Sequence, residues 1–414
     1  MRVVSGRVTH IKGESGEYNM LVQKYKDMLG NKSVIRTLSE FAAARGKEIG
    51  YENVFDYSLG NPSVPVPGEF TEAMIRLLQE KDSAELHGYS PSLGIYSVRE
   101  KIAESLKSRF GLPYKAEHIF PTSGAAGAIA HAVRCVSEPG DEILTFAPYF
   151  PEYGPYVNLT GAELKVVPAD REKFQINFEV FCQMISEKTA AVLINTPNNP
   201  SGAVYSEETL KKLAEVLWEK SKEYGQKIYL ISDEPYREII FGGIKAPYVA
   251  KYYADTLTCY SFSKSLSLPG ERIGYVAVNP ACGEAETIVQ MCAQISRGIG
   301  HNCPSSIIQL AVAETIELTS DLSVYETNMN ILHRELTDLG FVCTRPGGTF
   351  YIFPKALEED AVAFCNKALQ YDLVLVPGDG FGCPGFFRMA YCIDTEKVER
   401  SLPALRKFVE SEYR

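Results

Sequence analysis

A chain of 414 residues with 45% apolar and 23% charged content has an ordinary globular composition and length enough for two or three domains. Its net charge of -10 is spread along the whole length, and no basic stripe interleaved with aromatics occurs, which excludes a nucleic-acid surface. Ten cysteines without a C-x-x-C pair, and six scattered histidines, give no zinc-like spacing, so no metal site and reduced, mostly buried thiols are expected.

The opening Met1-Arg2-Val3-Val4-Ser5-Gly6 lacks the apolar stretch of a signal peptide, and no later run approaches a membrane span, so a cytoplasmic protein is expected. Asn31-Lys32-Ser33 and Asn158-Leu159-Thr160 match the glycosylation pattern but lack a secretory context. The N-terminal segment is charged and partly helical, with a short amphipathic piece from Ser39 to Ala44. From about Ile119 to Val278, apolar runs of strand length alternate with helical patterns, the signature of an α/β fold with a mostly parallel sheet. The expected strands are Glu142 to Phe146, Ala190 to Ile194, Lys227 to Ser232, Thr256 to Tyr260 and Gly274 to Val278. Between two of them, Ser206 caps a helix whose apolar positions are Leu210, Leu213, Ala214, Leu217 and Trp218, and Gly225 stops it. Later, helices are expected over Ser305 to Leu318 and Tyr325 to Leu339, with short strands at Thr349 to Phe353 and Phe386 to Cys392. That final stretch reads as a smaller α+β domain.

Lys264 stands in Ser261-Phe262-Ser263-Lys264, and eight residues later Arg272 stands in Pro269-Gly270-Glu271-Arg272-Ile273-Gly274. An amine able to form a Schiff base, two hydroxyls and a fixed cationic fork together suit a carbonyl cofactor that carries a phosphate. Pyridoxal 5'-phosphate is that molecule. Ser123-Gly124-Ala125-Ala126-Gly127 precedes an apolar helical run, whose first backbone N–H groups would face an anion. Asp233 and Tyr236, in Ser232-Asp233-Glu234-Pro235-Tyr236, and Asn199, in Asn195-Thr196-Pro197-Asn198-Asn199-Pro200-Ser201-Gly202, each follow an expected strand. In an open α/β sheet such positions share one crevice. A carboxylate there can keep the ring nitrogen protonated, while a phenol and an amide can bond the ring's phenolic oxygen.

The order and residue types of these motifs resemble the class I/II aminotransferases of fold type I, from about Asp56 to Val398. The resemblance implies a large domain with a seven-stranded, mostly parallel sheet over residues 61–303, a small domain over 304–414, and a segment 1–60 that wraps onto the small domain. It also implies transfer of an amino group between an L-amino acid and a 2-oxo acid through a Lys264 Schiff base, in a homodimer with shared sites. Phe150 resembles the aromatic that stacks on the cofactor ring, and Tyr89 a tyrosine that reaches the neighbouring subunit's phosphate. Arg388 resembles the arginine that grips the substrate α-carboxylate, and Gly60 the glycine whose backbone lies beside the substrate. Arg297, with Asn302 five residues on, resembles the arginine that reads a distal carboxylate across the interface. Where one branch of aspartate aminotransferases uses a lysine in the phosphate loop for that carboxylate, Ala126 stands here.

Three other readings use parts of the same sequence. Gly380-Phe381-Gly382-Cys383-Pro384-Gly385 fits G-x-G-x-x-G, but it contains a proline and runs into a strand rather than a helix, so a dehydrogenase is rejected. Carbon–sulfur β-lyases and some decarboxylases share the fold and these residues. A non-catalytic ligand sensor on this fold would carry an added DNA-binding domain, for which the N-terminal segment is short.

Overall fold

The computed structural model describes residues 21–30 and 33–414, so the first residues and Asn31-Lys32 of the glycosylation-like triplet lie outside what is described here. Among the described residues, twelve strands form three sheets. The largest holds β2 (Ile119–Thr122), β3 (Glu142–Phe146), β4 (Glu163–Val167), β5 (Thr189–Asn195), β6 (Tyr229–Asp233), β7 (Thr256–Ser261) and β8 (Gly274–Val278) in the order β2-β8-β7-β6-β5-β3-β4. Only β8 runs against its neighbours. The central strands are buried along nearly their whole length, because helices cover both faces of a parallel sheet.

The two strands of this sheet that sequence reading missed are its edges. β2 contains Pro121, which has no N–H for a second neighbour, and β4 carries Glu163 and Lys165 on a half-exposed surface. Neither gives the continuous apolar run that marks a central strand. The helix Glu207–Tyr224 begins and ends where expected: Ser206 accepts from the Thr209 N–H, and Gly225 takes the left-handed conformation. Its buried face is Leu210, Leu213, Val216 and Leu217, so Trp218 falls beyond the stripe and is 62% exposed. The amphipathic piece near Ser39 belongs to a longer helix, Val34–Ile49. The helix expected from Ser305 to Leu318 closes earlier, at Ser306–Glu314, where the Thr315 hydroxyl bonds back to the Ala311 carbonyl.

A second sheet pairs β11 (Val376–Pro377), β12 (Phe387–Ala390) and β9 (Tyr351–Ile352) in antiparallel fashion over a separate core that includes Phe364, Phe387 and Phe408. The third is a two-strand parallel pair, β1 (Phe55–Asp56) with β10 (Leu373–Val374). Through it the chain after the helix Val34–Ile49 is fixed to the C-terminal part of the sequence, with Ala42, Val54 and Val374 packed together. Residues 58–60 follow directly from that anchor. Among the described residues, no helix is long and apolar enough to cross a membrane.

Candidate active site

The carboxyl ends of β5, β6 and β7 stop side by side, with Asn195 opposite Asp233 and Asp233 opposite Cys259. The chain leaving each end therefore enters one crevice. There a cavity of about 1360 Å³ opens, and 12 of the 15 residues singled out from the sequence line it.

At one end stand the groups suited to an anion. Ser261 caps the short turn Phe262–Ser265 by accepting from the Ser263 N–H, and the two hydroxyls lie 2.7 Å apart. Arg272, in the left-handed region at φ 53, is held by the carbonyls of Pro269 at 3.0 Å and Ser123 at 3.2 Å. A Cβ on Gly124 would lie 2.8 Å from the guanidinium, so only glycine lets Arg272 cover the start of the helix Gly124–Val136. Ala125 and Ala126 line the cavity from that first turn, whose backbone N–H groups have no partner within the helix. Two hydroxyls, a guanidinium and a helix N-terminus thus converge on one point.

In the middle is Asp233, 4% exposed. Its Oδ2 accepts from Tyr153 Oη at 2.6 Å and from Asn195 Nδ2 at 3.4 Å, whereas its Oδ1 is buried with no hydrogen-bond partner. Burial pushes the carboxyl up to about 7; the Tyr153 bond opposes this and Glu234 adds to it. An orphaned acceptor of this kind is suited to a cationic N–H, which would restore its ionised form. Phe150 lines the same region, edge-on to Tyr153 with centroids 5.8 Å apart. Opposite, Lys264 Nζ donates to the Gly60 carbonyl at 2.6 Å. Burial pushes this amine down to about 8, with Cys392 opposing and Arg272 and Arg388 adding to the fall. An appreciable share of it is therefore the neutral nucleophile near neutral pH.

At the far end Arg388 is 2% exposed on β12. It donates to Asn199 Oδ1 at 3.1 Å and to the Ser58 carbonyl, lies over the Tyr351 ring at 4.6 Å, and leaves Nε buried without a partner. Burial lowers its pKa, and no carboxylate pairs with it among the described residues. A buried guanidinium in that position is suited to a ligand carboxylate. Tyr236 Oη is 3.1 Å from Tyr351 Oη, and burial raises its pKa well above the ordinary phenol value.

Three of the residues singled out do not line this cavity. Gly124 sits behind Arg272. Tyr89 is fully exposed, on a loop held to the later chain by Gln309 and Cys303. Arg297 is exposed on the last turn of the helix Ala285–Ile299. Sequence reading passed over Tyr153, Asn195 and Tyr351. Asn195 ends a strand one position before the turn that carries Asn199, and Tyr153 follows Phe150 by one helical turn, so both were within reach of a spacing argument. Tyr351 gave no such signal. The cavity mouth also gains Met28, Leu29, Val34, Ile35 and Arg36 from the N-terminal helices.

A seven-stranded sheet with a lysine-centred cavity at its carboxyl edge is the architecture of fold type I pyridoxal-phosphate enzymes. The family model "Aminotransferase class I and II" matches residues 52–405, so the chain belongs to that family and is a pyridoxal-phosphate-dependent aminotransferase. It is 31% identical to a probable aspartate/prephenate aminotransferase of Aquifex aeolicus over 89% of this chain and 94% of that one. It is 30% identical to an aspartate aminotransferase of Thermotoga maritima, covering 87% and 92%. The crystal structure of an aminotransferase from Eubacterium rectale superposes with a TM-score of 0.92 at 44% identity, over 96% of this chain and 100% of the other. Of the readings the sequence left open, transamination is the one these relatives share.

Proposed function

We propose that this chain holds pyridoxal 5'-phosphate between Asp233 and Lys264 and, as a homodimer with shared sites, moves amino groups preferentially from acidic L-amino acids to 2-oxo acids. The observation that carries the cofactor assignment is the orphaned, buried Asp233 Oδ1 in the same cavity as a lysine amine whose pKa burial has lowered. When bound, the cofactor supplies an aldehyde for amines and a protonated ring that stabilises negative charge at the substrate α-carbon.

Each wall of the cavity then has a task. Asp233 keeps the proton on the ring nitrogen. Because Asn199 Oδ1 already accepts from Arg388, its Nδ2 is left as a donor for the phenolic oxygen, and Tyr236 Oη is the second donor. Phe150, which lines the cavity, would stack on the ring. Ser261, Ser263, Arg272 and the N–H groups of Gly124, Ala125 and Ala126 hold the phosphate. Arg388 grips the donor α-carboxylate beside the backbone of Gly60, which orients the α-hydrogen toward Lys264. Lys264 Nζ would take that proton from the α-carbon and return it to the carbon on the far side of the substrate nitrogen. In domain terms, residues 61–303 carry the cofactor groups, whereas residues 304–414 deliver Arg388 and the described part of the segment before residue 61 lines the cavity mouth.

Tyr89, unpacked against its own chain, completes the phosphate cup of a second copy. Chains carrying Lys264→Ala and chains carrying Tyr89→Ala, allowed to exchange subunits, should give activity above the sum of the two parents, because one site of each mixed dimer regains both groups. Additive activity at full exchange would mean that each site is built within one chain.

Arg297 reads the distal carboxylate from the partner's side. Support comes from its exposed position outside its own cavity, from Ala126 where a lysine could have served, and from the aspartate-type names of the Aquifex and Thermotoga relatives. Donors screened against 2-oxoglutarate and pyruvate should favour aspartate and glutamate. Arg297→Ala should lower kcat/KM for those two by about two to three decades and leave alanine and aromatic donors nearly unchanged. Equal losses for both donor types would make Arg297 a structural residue.

A further inference from the structure

Tyr351 opens β9, in Gly347-Gly348-Thr349-Phe350-Tyr351-Ile352, and is 3% exposed. Its place is over-determined. The backbone N–H bonds Thr349 Oγ1 at 3.1 Å, the Arg388 guanidinium lies on the ring face, and a Cβ on Gly60 would come within 1.9 Å of the hydroxyl. Glycine at position 60 therefore makes the room that this hydroxyl fills. The hydroxyl meets Tyr236 Oη at 3.1 Å, and the Tyr236 ring is itself pinned edge-on by Phe350 and Tyr351 with centroids 5.4 and 5.6 Å away.

Each phenol brings one hydrogen to this pair. If Tyr236 gives its hydrogen to an acceptor in the cavity, Tyr351 is, among the described residues, the one placed to give one to the Tyr236 oxygen. A phenol that accepts one bond donates a stronger one, and in a dry cavity that reinforcement is not diluted by water. We propose that Tyr351 is a positioning residue that acts through Tyr236 to set the pH at which the bound cofactor changes its protonation state. The proposal rests on the reading of Tyr236 as a donor to the cofactor's phenolic oxygen. Its sign follows from charge: donation withdraws negative charge from that oxygen and makes the neighbouring nitrogen easier to deprotonate. A weaker donor therefore raises the midpoint.

The test is a pH titration of the visible absorbance of the holoenzyme for the wild type, Tyr351→Phe, Tyr236→Phe and the double variant. Tyr351→Phe keeps the ring beneath Arg388, and thermal unfolding of each variant checks the fold. The midpoint of Tyr351→Phe should rise by about half a unit, that of Tyr236→Phe by more, and the double variant should match Tyr236→Phe alone. An unmoved midpoint in Tyr351→Phe beside a shifted one in Tyr236→Phe overturns the relay alone. So does a Tyr351→Phe shift that adds in full to that of Tyr236→Phe, since it would then act without Tyr236. No shift in Tyr236→Phe removes the donor reading of Tyr236, and the relay with it.

Discussion

Lys264→Ala should fold normally and lose turnover by at least about 10²–10⁴-fold, the range for loss of a general acid–base group. The amine makes one hydrogen bond, to the Gly60 carbonyl, and its burial disfavours the charged form, so truncation removes chemistry and little that stabilises the fold. Borohydride reduction of the wild-type holoenzyme followed by peptide mapping should place a pyridoxyl group on Lys264, and the variant should take up none there. The other cavity lysine, Lys24, is exposed at the mouth. A label on that residue, or on any lysine besides Lys264, would overturn the cofactor assignment.

Asp233→Asn should act in opposite directions on catalysis and on stability. The amide keeps an oxygen for Tyr153 but cannot hold the ring nitrogen protonated. Single-turnover removal of the α-proton should slow by about 10²–10³-fold, as for other losses of preorganised electrostatic support. In the cofactor-free protein the carboxyl is a burden: it ionises near 3.8 in the unfolded chain and at about 7 when buried. Between these values the folded chain retains a proton that the unfolded chain has lost. The stability associated with that proton is complete below about 3.8 and is lost as the pH rises through about 7. Cofactor-free Asp233→Asn should accordingly unfold at a higher temperature than the wild type at pH 8, by up to about 4 kcal/mol in free energy, and match it near pH 4. Scanning calorimetry at both pH values, alongside stopped-flow absorbance, reads the two effects. Wild-type kinetics in Asp233→Asn would assign the ring nitrogen to another group.

The cavity's floor was easier to read in the sequence than its walls. Lys264, Asp233 and Asn199 follow strands whose apolar runs stand out, so topology alone brings them to one edge. Edge strands β2 and β4 were missed because proline and charge interrupt the pattern that reveals a buried strand. Tyr351 and Tyr153 were missed for a different reason. Their roles depend on which hydroxyl meets which atom across the fold, at separations of 115 and 80 residues, and periodicity carries no record of that. The cavity mouth was hidden in the same way: Met28, Leu29 and Arg36 line it where the N-terminal segment docks, through the helix Val34–Ile49 packed on β10 and β11 and through β1 paired with β10.

That docking also orders the making of the site in time. Ser58, which supplies a carbonyl to Arg388, stands 330 positions before it in the chain, and β1 has no neighbour until β10 exists. A ribosome delivers Lys264, the serines and the anion-binding turn long before it delivers β10 and β12. The residues of one chain proposed to hold the cofactor are thus synthesised with the large sheet, while Arg388, proposed for the substrate α-carboxylate, arrives among the last pieces. Arg388 gains its Ser58 partner only when the two ends of the chain meet.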